Sequence, residues 1–271
     1  MAERIEIEGV TIAHEDTGGE GPAVVLVHGL GGSMYGWRAQ VRALADAGYR
    51  AIAFDQRGAG LTRDASGAVP AGPYSIEAWA QDLVDLVDAV GVDRVALVGH
   101  SMGCMVAHQA ALLMGERCWA LVHCGGRPRW PEGFEANFAE RAELAWARRM
   151  DANAEAVATG ALSERCRAEQ PALWGLLVNS VAANDADAYA ESALATARGS
   201  MPDLGDLACP VLAFAGSEDG ATPPDAAEEI AAAVPRSEAA VIDGAAHWCM
   251  LEDPEAVNRV LAGFLDRHRP R

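Results

Sequence analysis

The feature that most constrains the fold is a glycine-flanked serine between an apolar run and a helix-compatible stretch. Residues Gly99–Gly103 read G-H-S-M-G, after the apolar run Val95–Val98 and before the stretch Cys104–Leu113. This order predicts a strand, a very tight turn with Ser101 at its tip in a strained backbone conformation, and a helix. Side chains two residues before and after the serine would collide there, so both positions need glycine. An ordinary glycine-flanked turn is the alternative, and the flanking segments disfavour it.

Length and hydrophobicity indicate one large globular domain. The 271 residues suffice for an α/β domain with an insertion, and the 51% hydrophobic content allows a sizeable core. All apolar stretches fall well short of the roughly 20 residues that a membrane span requires. The start of the chain lacks a basic region followed by an apolar stretch, the pattern of a secretion signal. We therefore expect a cytoplasmic protein with no membrane partner.

The charge of the chain limits its partners. The formal net charge is −18, and all 21 basic residues are arginines, which excludes Schiff-base chemistry on lysine. The acidic balance disfavours nucleic acids and anionic membranes as partners. An anionic substrate would need local arginines to offset this charge. The six cysteines form no C-x-x-C motif, so we expect buried free thiols and neither a metal nor another cofactor.

Strand-like runs alternate with helical segments along most of the chain. The predicted strands are Ile5–Val10, Val10–His14, Ala23–Val27, Arg50–Phe54, Arg94–Val98, Trp119–Cys124, Pro210–Gly216 and Ala239–Ile242. The predicted helices are Trp37–Ala47, Ile76–Val90 with Ser75 as N-cap, Cys104–Leu113, Pro224–Val234, and one from Pro254 to about Leu265. This alternation implies an α/β fold with a mostly parallel, eight-stranded sheet flanked by helices on both faces.

One stretch departs from the alternation. Residues 127–202 are rich in alanine, glutamate and arginine and contain no convincing strand. We interpret them as a helical cap inserted between two strands of a core formed by residues 1–126 and 203–271. The alternative is a set of packing helices with no role as a lid.

A serine hydroxyl is a poor nucleophile, so Ser101 needs a histidine base and an acid that orients the histidine. In strand–turn–helix sites of this kind, the chain order is serine, acid, histidine. His247 follows the late strand Ala239–Ile242 through a loop of small residues, which places it at the same sheet edge as the serine. The other late histidine, His268, lies in a polar tail and is expected to be solvated. Two earlier histidines are expected to pack the loops around the site: His28 and His100.

The acid is expected after the preceding strand, where two carboxylates compete. That strand ends at Gly216 and is followed by Ser-Glu-Asp-Gly. Asp219 is the first choice because Gly220 suits a turned loop that aims a short side chain inward. Glu218 is the alternative.

Acyl transfer at Ser101 also requires backbone N–H groups that hold a developing oxyanion. One is the amide that follows the serine, that of Met102. The second is expected in the glycine-rich turn Gly29–Gly32 after an earlier strand, with the amide of Leu30 as the best candidate. The glycines let the backbone approach a substrate closely.

Taken together, these segments resemble the α/β-hydrolase fold family in order and spacing. The matching segments are His28–Gly32, Asp55–Gly60, Gly99–Gly103, Gly216–Asp219 and His247, and they extend over nearly the whole chain outside residues 127–202. The resemblance implies one role for each matching residue: nucleophile Ser101, acid Asp219, base His247, and oxyanion amides Leu30 and Met102. It also implies that the loop Asp55–Gly60 is structural.

Two segments are similar to narrower groups within that family. Asp219–Pro224 and the stretch Asn184–Tyr189 resemble 3-oxoadipate enol-lactonases, and the first segment also resembles aclacinomycin-type methylesterases. The resemblance implies a serine hydrolase that cleaves a small carboxylic ester or lactone through an acyl-enzyme on Ser101. The expected partner is the small-molecule substrate, and homodimer formation is left open.

Several residues near these motifs are candidates for the substrate pocket. Gly29, Trp37, Trp130, Trp146, Trp174 and Trp248 are the apolar or backbone candidates, and core packing is the alternative for each tryptophan. Arg127 and Arg129 follow the strand that ends at Cys124 and are candidates for binding a substrate carboxylate. The alternative is a surface pair that neutralises an acidic protein.

Other functions stay open at this point. Cofactor-free haloperoxidases with perhydrolase activity and carbon–carbon bond hydrolases share the same core. The turn Gly29–Gly32 followed by Asp55 suggests a dinucleotide-binding module, but the G-x-G-x-x-G spacing is incomplete and the serine, acid and histidine would be unexplained. A ligand-binding receptor on a hydrolase scaffold would retain every motif.

Overall fold

The computed structural model describes residues 2–270, in which nine strands form one sheet. The strands are β1 (Glu3–Ile7), β2 (Val10–Asp16), β3 (Ala23–Val27), β4 (Arg50–Phe54), β5 (Arg63–Asp64), β6 (Val95–His100), β7 (Cys118–Cys124), β8 (Val211–Gly216) and β9 (Ser237–Ile242). Eight strands follow the order β1-β2-β4-β3-β6-β7-β8-β9, and β5 pairs with β2 outside this path. The pairs that include β2 are antiparallel and all others are parallel.

Helices connect these strands. They are α1 (Arg38–Asp46), α2 (Ile76–Ala89), α3 (Met102–Met114), α4 (Glu135–Trp146), α5 (Met150–Ala161), α6 (Glu164–Glu169), α7 (Pro171–Ala182), α8 (Ala186–Arg198), α9 (Pro224–Ala233), α10 (Cys249–Glu252) and α11 (Pro254–His268). Within residues 2–270, none combines the length and the hydropathy needed to cross a membrane.

Both faces of the sheet are buried, because alternate residues of the central strands point into two separate apolar clusters. In β3, Val24 belongs to the cluster that contains Phe264 of α11. Its neighbour Val25 belongs to the cluster that contains Leu83 of α2. All five residues of β3 are buried, which explains why this strand reads as a continuous apolar run.

The predicted fold class is confirmed, although the sheet has nine strands rather than the predicted eight. Each of the eight predicted strands is present, and β3 and β4 have the predicted bounds. The sequence pattern does not predict β5 or α10, because a two-residue strand and a single helical turn are too short to show a periodicity. The terminal helix α11 continues past its predicted end to His268.

Residues 127–202 carry the five helices α4–α8 between β7 and β8. An isolated bridge between Arg129 and Ser200 brings the two ends of this insertion together. Helix α4 packs against α8, and α5 packs against α7. The backbone N–H of Trp248, in the loop after β9, donates to the carbonyl of Ala161 at the end of α5 at 3.2 Å, so the inserted helices contact a loop at the carboxyl edge of the sheet. The division into core and cap stays a prediction.

The turn after β6 brings three backbone segments into contact. A Cβ atom added to Gly99 would lie 2.3 Å from the carbonyl oxygen of Gly103. A Cβ atom added to Gly103 would lie 2.4 Å from the carbonyl oxygen of Val27 in β3. Both obstacles are backbone atoms in a close-packed interior, so neither can move aside cheaply. Space alone therefore requires the two glycines.

We expect Gly103→Ala to lower the free energy of unfolding by about 2 kcal/mol or more, because the added methyl group must displace β3. Gly175→Ala is the matched control, since Gly175 lies within α7 with no heavy atom within 4 Å of the added Cβ. The control should stabilise the protein by up to about 1 kcal/mol through helix propensity. Urea denaturation measures both values, and an unfolding midpoint of Gly103→Ala at or above that of the wild type would contradict the close contact.

Candidate active site

Ser101 occupies the turn between β6 and α3 with a left-handed backbone. Its φ is 53° and its ψ is −119°, a conformation that costs a non-glycine residue on the order of 1–3 kcal/mol and that the surroundings must impose. Its N–H donates to the carbonyl of Cys124 in β7 at 3.0 Å, and the N–H of Cys104 donates to the carbonyl of Ser101 at 2.9 Å. The Ser101 hydroxyl has no hydrogen-bond partner within residues 2–270, and it faces a cavity.

His247 and Asp219 form a hydrogen-bonded pair at the same edge of the sheet as Ser101. His247 Nδ1 lies 2.8 Å from Asp219 Oδ2. The Asp219 loop follows β8 and the His247 loop follows β9, so two neighbouring parallel strands deliver the two side chains. The carboxylate is fully buried, whereas the imidazole is 12% exposed. Because His247 Nδ1 is hydrogen-bonded to the carboxylate, Nε2 is the ring nitrogen that remains available to a bound molecule.

The Asp219 carboxylate accepts three hydrogen bonds besides that of His247. Oδ1 accepts the backbone N–H groups of Ala221 and Thr222, each at 2.9 Å, and Oδ2 accepts the Thr222 hydroxyl at 2.7 Å. Burial alone would raise the pKa of Asp219, but His247 and these hydrogen bonds outweigh it and lower the pKa below its ordinary value of 3.8. The carboxylate is therefore charged at neutral pH and can stabilise an imidazolium at His247.

Glu218, the alternative acid, is exposed, and the carboxylate bonded to His247 Nδ1 is that of Asp219. Its backbone N–H instead donates to the carbonyl of Ala245 at 2.9 Å, which ties the loop after β8 to the loop after β9. The structure thus places Asp219 rather than Glu218 against the histidine.

His100 packs beside the histidine of the pair and is neutral. Its ring centroid lies 4.9 Å from that of His247 and 5.0 Å from the Trp248 ring. Its Nε2–H donates to the backbone carbonyl of His247 at 2.9 Å. Burial, followed by the charge on His247, lowers the pKa of His100 to about 3. His100 therefore supports the backbone of the His247 loop and is unsuited to act as a base at neutral pH.

The turn Gly29–Gly32 approaches Ser101 from the end of β3. A Cβ atom added to Gly29 would lie 3.0 Å from Ser101 Cβ, so the two backbones are in close contact. The N–H of Leu30 has no acceptor within residues 2–270. The N–H of Met102, the first residue of α3, is one of those that a helix leaves unpaired. Two donors are thus available near the serine.

Two buried side chains hold this turn in place. His28 donates from Nδ1–H to the carbonyl of Gly29 at 2.8 Å, while its Nε2 accepts the N–H of Gln56 at 3.1 Å. Asp55 is fully buried, and its Oδ1 accepts the N–H of Met34 at 2.7 Å. Asp55 is therefore unable to reach a nucleotide ribose, which removes the acidic group that the dinucleotide-binding hypothesis requires.

Ser101 and His247 line one cavity of about 280 Å³. Three other residues proposed from the sequence line it too: Leu30, Trp130 and Trp248. Helices α4 and α5 and the segment before α4 contribute most of the remaining lining: Phe134, Asn137, Phe138, Arg141, Ala156, Val157, Gly160 and Ala161. Ligand pockets usually measure about 300–1,000 Å³, so this cavity suits a small molecule.

Three tryptophans predicted to line the pocket lie elsewhere. Trp37 is fully buried behind His100, with ring centroids 6.4 Å apart, so it has no surface to offer a ligand. Trp146 is 46% exposed at the end of α4. Trp174 packs on the apolar cluster from α7. Packing between helices, rather than the cavity, determines where these side chains point.

Arg127, predicted to bind a substrate carboxylate, also lies outside the cavity lining. Its Nη1 donates to the carbonyl of Ala221 and its Nε donates to the carbonyl of Arg129, both at 2.9 Å. Arg127 therefore braces the loop that follows Asp219, and Arg129 is exposed.

The sequence motifs do not single out Thr222 or the residues before and within α4 that line the cavity. Thr222 lies three residues after Asp219, within reach of its carboxylate, but the motif alone does not single it out. Phe134, Asn137, Phe138 and Arg141 recur at the spacing of a single helix face, which is the signal that identifies them.

The six cysteines are buried free thiols, as expected. Within residues 2–270, no cluster of three or more His, Cys, Asp or Glu side chains is arranged to hold a metal ion.

The sheet topology, the turn at Ser101 and the Asp219–His247 pair together define an α/β hydrolase. A family model described as the alpha/beta hydrolase fold matches residues 22–254. The chain belongs to this family, and it is an enzyme of the hydrolase class.

Individual relatives agree with this assignment. The chain is 31% identical over 263 residues to a protein of Escherichia coli O127:H6 named "Putative carbamate hydrolase RutD", a match that covers 91% of this chain and 92% of the relative. A thermophilic esterase from Thermogutta terrifontis is 29% identical with a TM-score of 0.88, and both chains are covered completely (100%). The enol-lactonase from Burkholderia xenovorans LB400 has a TM-score of 0.90 over 97% of this chain and 100% of its own, and at 24% identity it shows the fold alone.

The depressed pKa of His100 makes stability depend on pH. In the unfolded chain His100 titrates near its ordinary value of 6.5, whereas in the folded protein its pKa is about 3. Between these values the unfolded state binds a proton that the folded state does not, so stability falls as the pH falls, by about 1.4 kcal/mol per pH unit.

We expect the loss of stability caused by His100→Gln to be about 2 kcal/mol smaller at pH 5 than at pH 8. Glutamine retains an N–H donor for the carbonyl of His247 but does not titrate. Urea denaturation at the two pH values measures the difference. A loss of equal size at both would show that the His100 pKa is not depressed.

Proposed function

We propose that the protein is a serine hydrolase that cleaves a small carboxylic ester or lactone through an acyl-enzyme on Ser101. One observation carries the proposal: the free hydroxyl of Ser101 shares a small cavity with the ring of His247, which is hydrogen-bonded to a buried carboxylate at 2.8 Å. The 29% identity to an esterase over the whole chain supports the class of reaction. Residues 127–202 act as a cap that closes the cavity over the serine.

Acylation of Ser101 is the first half of the proposed reaction. Ser101 Oγ attacks the substrate carbonyl carbon while His247 Nε2 takes the hydroxyl proton. The electron pair of the carbonyl bond moves to oxygen, and the N–H groups of Leu30 and Met102 stabilise that oxyanion. The charged Asp219 stabilises the imidazolium. Collapse of the tetrahedral intermediate breaks the ester bond, and the leaving oxygen takes the proton from Nε2.

Deacylation repeats these steps with water. His247 Nε2 takes a proton from water while the water oxygen attacks the acyl carbon. The bond to Ser101 Oγ then breaks, and the serine recovers its proton from His247. An ester yields an acid and an alcohol, whereas a lactone yields one hydroxy acid.

We expect Ser101→Ala to reduce kcat for p-nitrophenyl butyrate about 10⁴-fold or more, because no other hydroxyl occupies the turn. Mass spectrometry after treatment with a fluorophosphonate should show one adduct on the wild-type protein and none on the variant. Near-normal turnover by Ser101→Ala would exclude the acyl-enzyme mechanism.

For the acid, we expect Asp219→Asn to lower kcat about 10⁴-fold, since an amide cannot stabilise the imidazolium. Glu218→Gln is the matched control, because it removes one negative charge from the adjacent, exposed position and should change kcat less than about 3-fold. Steady-state kinetics on the same ester measures both. The reverse ranking of the two variants would move the role of acid to Glu218.

The alternative activities are distinguished by a substrate panel. Simple esters, methyl esters of polyketides, enol-lactones and vinylogous diketones test ester, lactone and carbon–carbon bond cleavage, and halogenation in the presence of peroxide and an organic acid tests haloperoxidase activity. A receptor on the hydrolase scaffold would bind ligands from this panel and turn over none of them.

A further inference from the structure

The cavity lining contains one permanently charged side chain, that of Arg141 in α4. No Asp or Glu lines the cavity, and within residues 2–270 no carboxylate oxygen lies within 4.0 Å of the Arg141 guanidinium. Arginine stays protonated at every accessible pH. Arg141 is partly buried, so its charge is available to an anionic group of a ligand in the cavity.

The surroundings of Arg141 hold the guanidinium without neutralising it. Its Cζ lies 5.6 Å from the centroid of the Phe138 ring, a cation–π contact that stabilises the charge. The hydroxyl of Tyr189 is also close, and burial raises the pKa of Tyr189 although Arg141 opposes the rise, so the phenol is neutral. Neither neighbour compensates the positive charge.

Asn137 adds a second donor on the same helix face. Asn137 and Arg141 are four residues apart in α4, which places their side chains next to each other, and both line the cavity. Asn137 is exposed, so its carboxamide is open to solvent and available to a bound molecule. The cavity lining thus contains the Arg141 guanidinium and the Asn137 amide, neither of which is paired with a carboxylate, together with the Ser101 hydroxyl.

We infer that Arg141, assisted by Asn137, binds a carboxylate of the substrate that is separate from the acyl group attacked by Ser101. The preferred substrates are then esters or lactones that carry a free carboxylate, for example hemiesters of dicarboxylic acids. Arginine binds carboxylates through paired N–H donors, and in a chain of net charge −18 an anion needs a local cation. This inference rests on the proposed function for the reaction and extends it to the class of substrate.

Kinetics with two matched esters tests the inference: the p-nitrophenyl hemiester of glutaric acid and the p-nitrophenyl ester of pentanoic acid. The two have acyl chains of equal length, and only the first has a carboxylate. We expect Arg141→Gln to raise KM for the hemiester about 10-fold or more, with KM for the pentanoate and both kcat values changed less than about 3-fold. Arg141→Lys should recover part of the loss because it restores the charge.

Arg149→Gln is the control for long-range charge, since Arg149 is 58% exposed on the same inserted segment and pairs with Asp151. It changes the net charge as much as Arg141→Gln does and should leave both esters unaffected. If Arg141→Gln raised KM equally for the hemiester and the pentanoate, Arg141 would have a merely structural role, and the inference of a carboxylate site would be wrong.

Calorimetry with glutarate separates this inference from the proposed reaction. In the Ser101→Ala background, we expect Arg141→Gln to weaken glutarate binding about 10-fold or more and to leave the binding of neutral glutaramide unchanged. Equal glutarate affinity in the two proteins overturns the carboxylate site even if ester hydrolysis is demonstrated. If Arg141→Gln weakens the binding of glutarate but not of glutaramide, and the wild-type protein turns over no ester, the proposed reaction is refuted and the carboxylate site is retained.

Discussion

The backbone contact between Gly103 and Val27 is the constraint on which the rest of the site depends. At this contact the start of α3 packs against the end of β3, and there is no room for a side chain at Gly103. Because the turn Gly29–Gly32 continues directly from β3, this contact also fixes the amide of Leu30 relative to Ser101. A single close approach thus positions both the hydroxyl and one of the donors proposed to stabilise the oxyanion.

The other half of the site depends on the charge states of two buried side chains, one of which is charged and the other neutral. Asp219 keeps its charge, because four hydrogen bonds outweigh the effect of burial on its pKa. His100 loses its charge, because burial beside His247 lowers its pKa to about 3. The ring of His247 therefore contacts a charged carboxylate on one side and a neutral imidazole on the other.

The backbone of this site could be predicted from the sequence more fully than its cavity. Short motifs at strand ends determine where Ser101, Asp219 and His247 lie, because parallel strands deliver their carboxyl ends to one edge of the sheet. The direction of a large side chain within an inserted helix depends instead on tertiary packing. For this reason Trp146 and Trp174, predicted to line the pocket, lie elsewhere.

Four residues before and within α4 recur at the spacing of one helix face: Phe134, Asn137, Phe138 and Arg141. An amphipathic pattern shows that a helix has one buried face, but it does not show whether that face meets a core or a cavity. The polar Asn137 and the charged Arg141 on this face are unusual for a helix face buried in a core, and no carboxylate among residues 2–270 pairs with Arg141.

The inserted helices and the His247 loop are connected by one buried carboxylate. Glu252 in α10 accepts the N–H of Ala246, next to His247, and the N–H and hydroxyl of Ser163 at the start of α6. The backbone of Trp248 also donates to the carbonyl of Ala161 in α5 at 3.2 Å. The position of His247 therefore depends on the packing of residues 127–202 as well as on the sheet. The same segment that carries the proposed carboxylate site thus supports the proposed base, so changes in the insertion that alter substrate preference are expected to alter the geometry of the base as well.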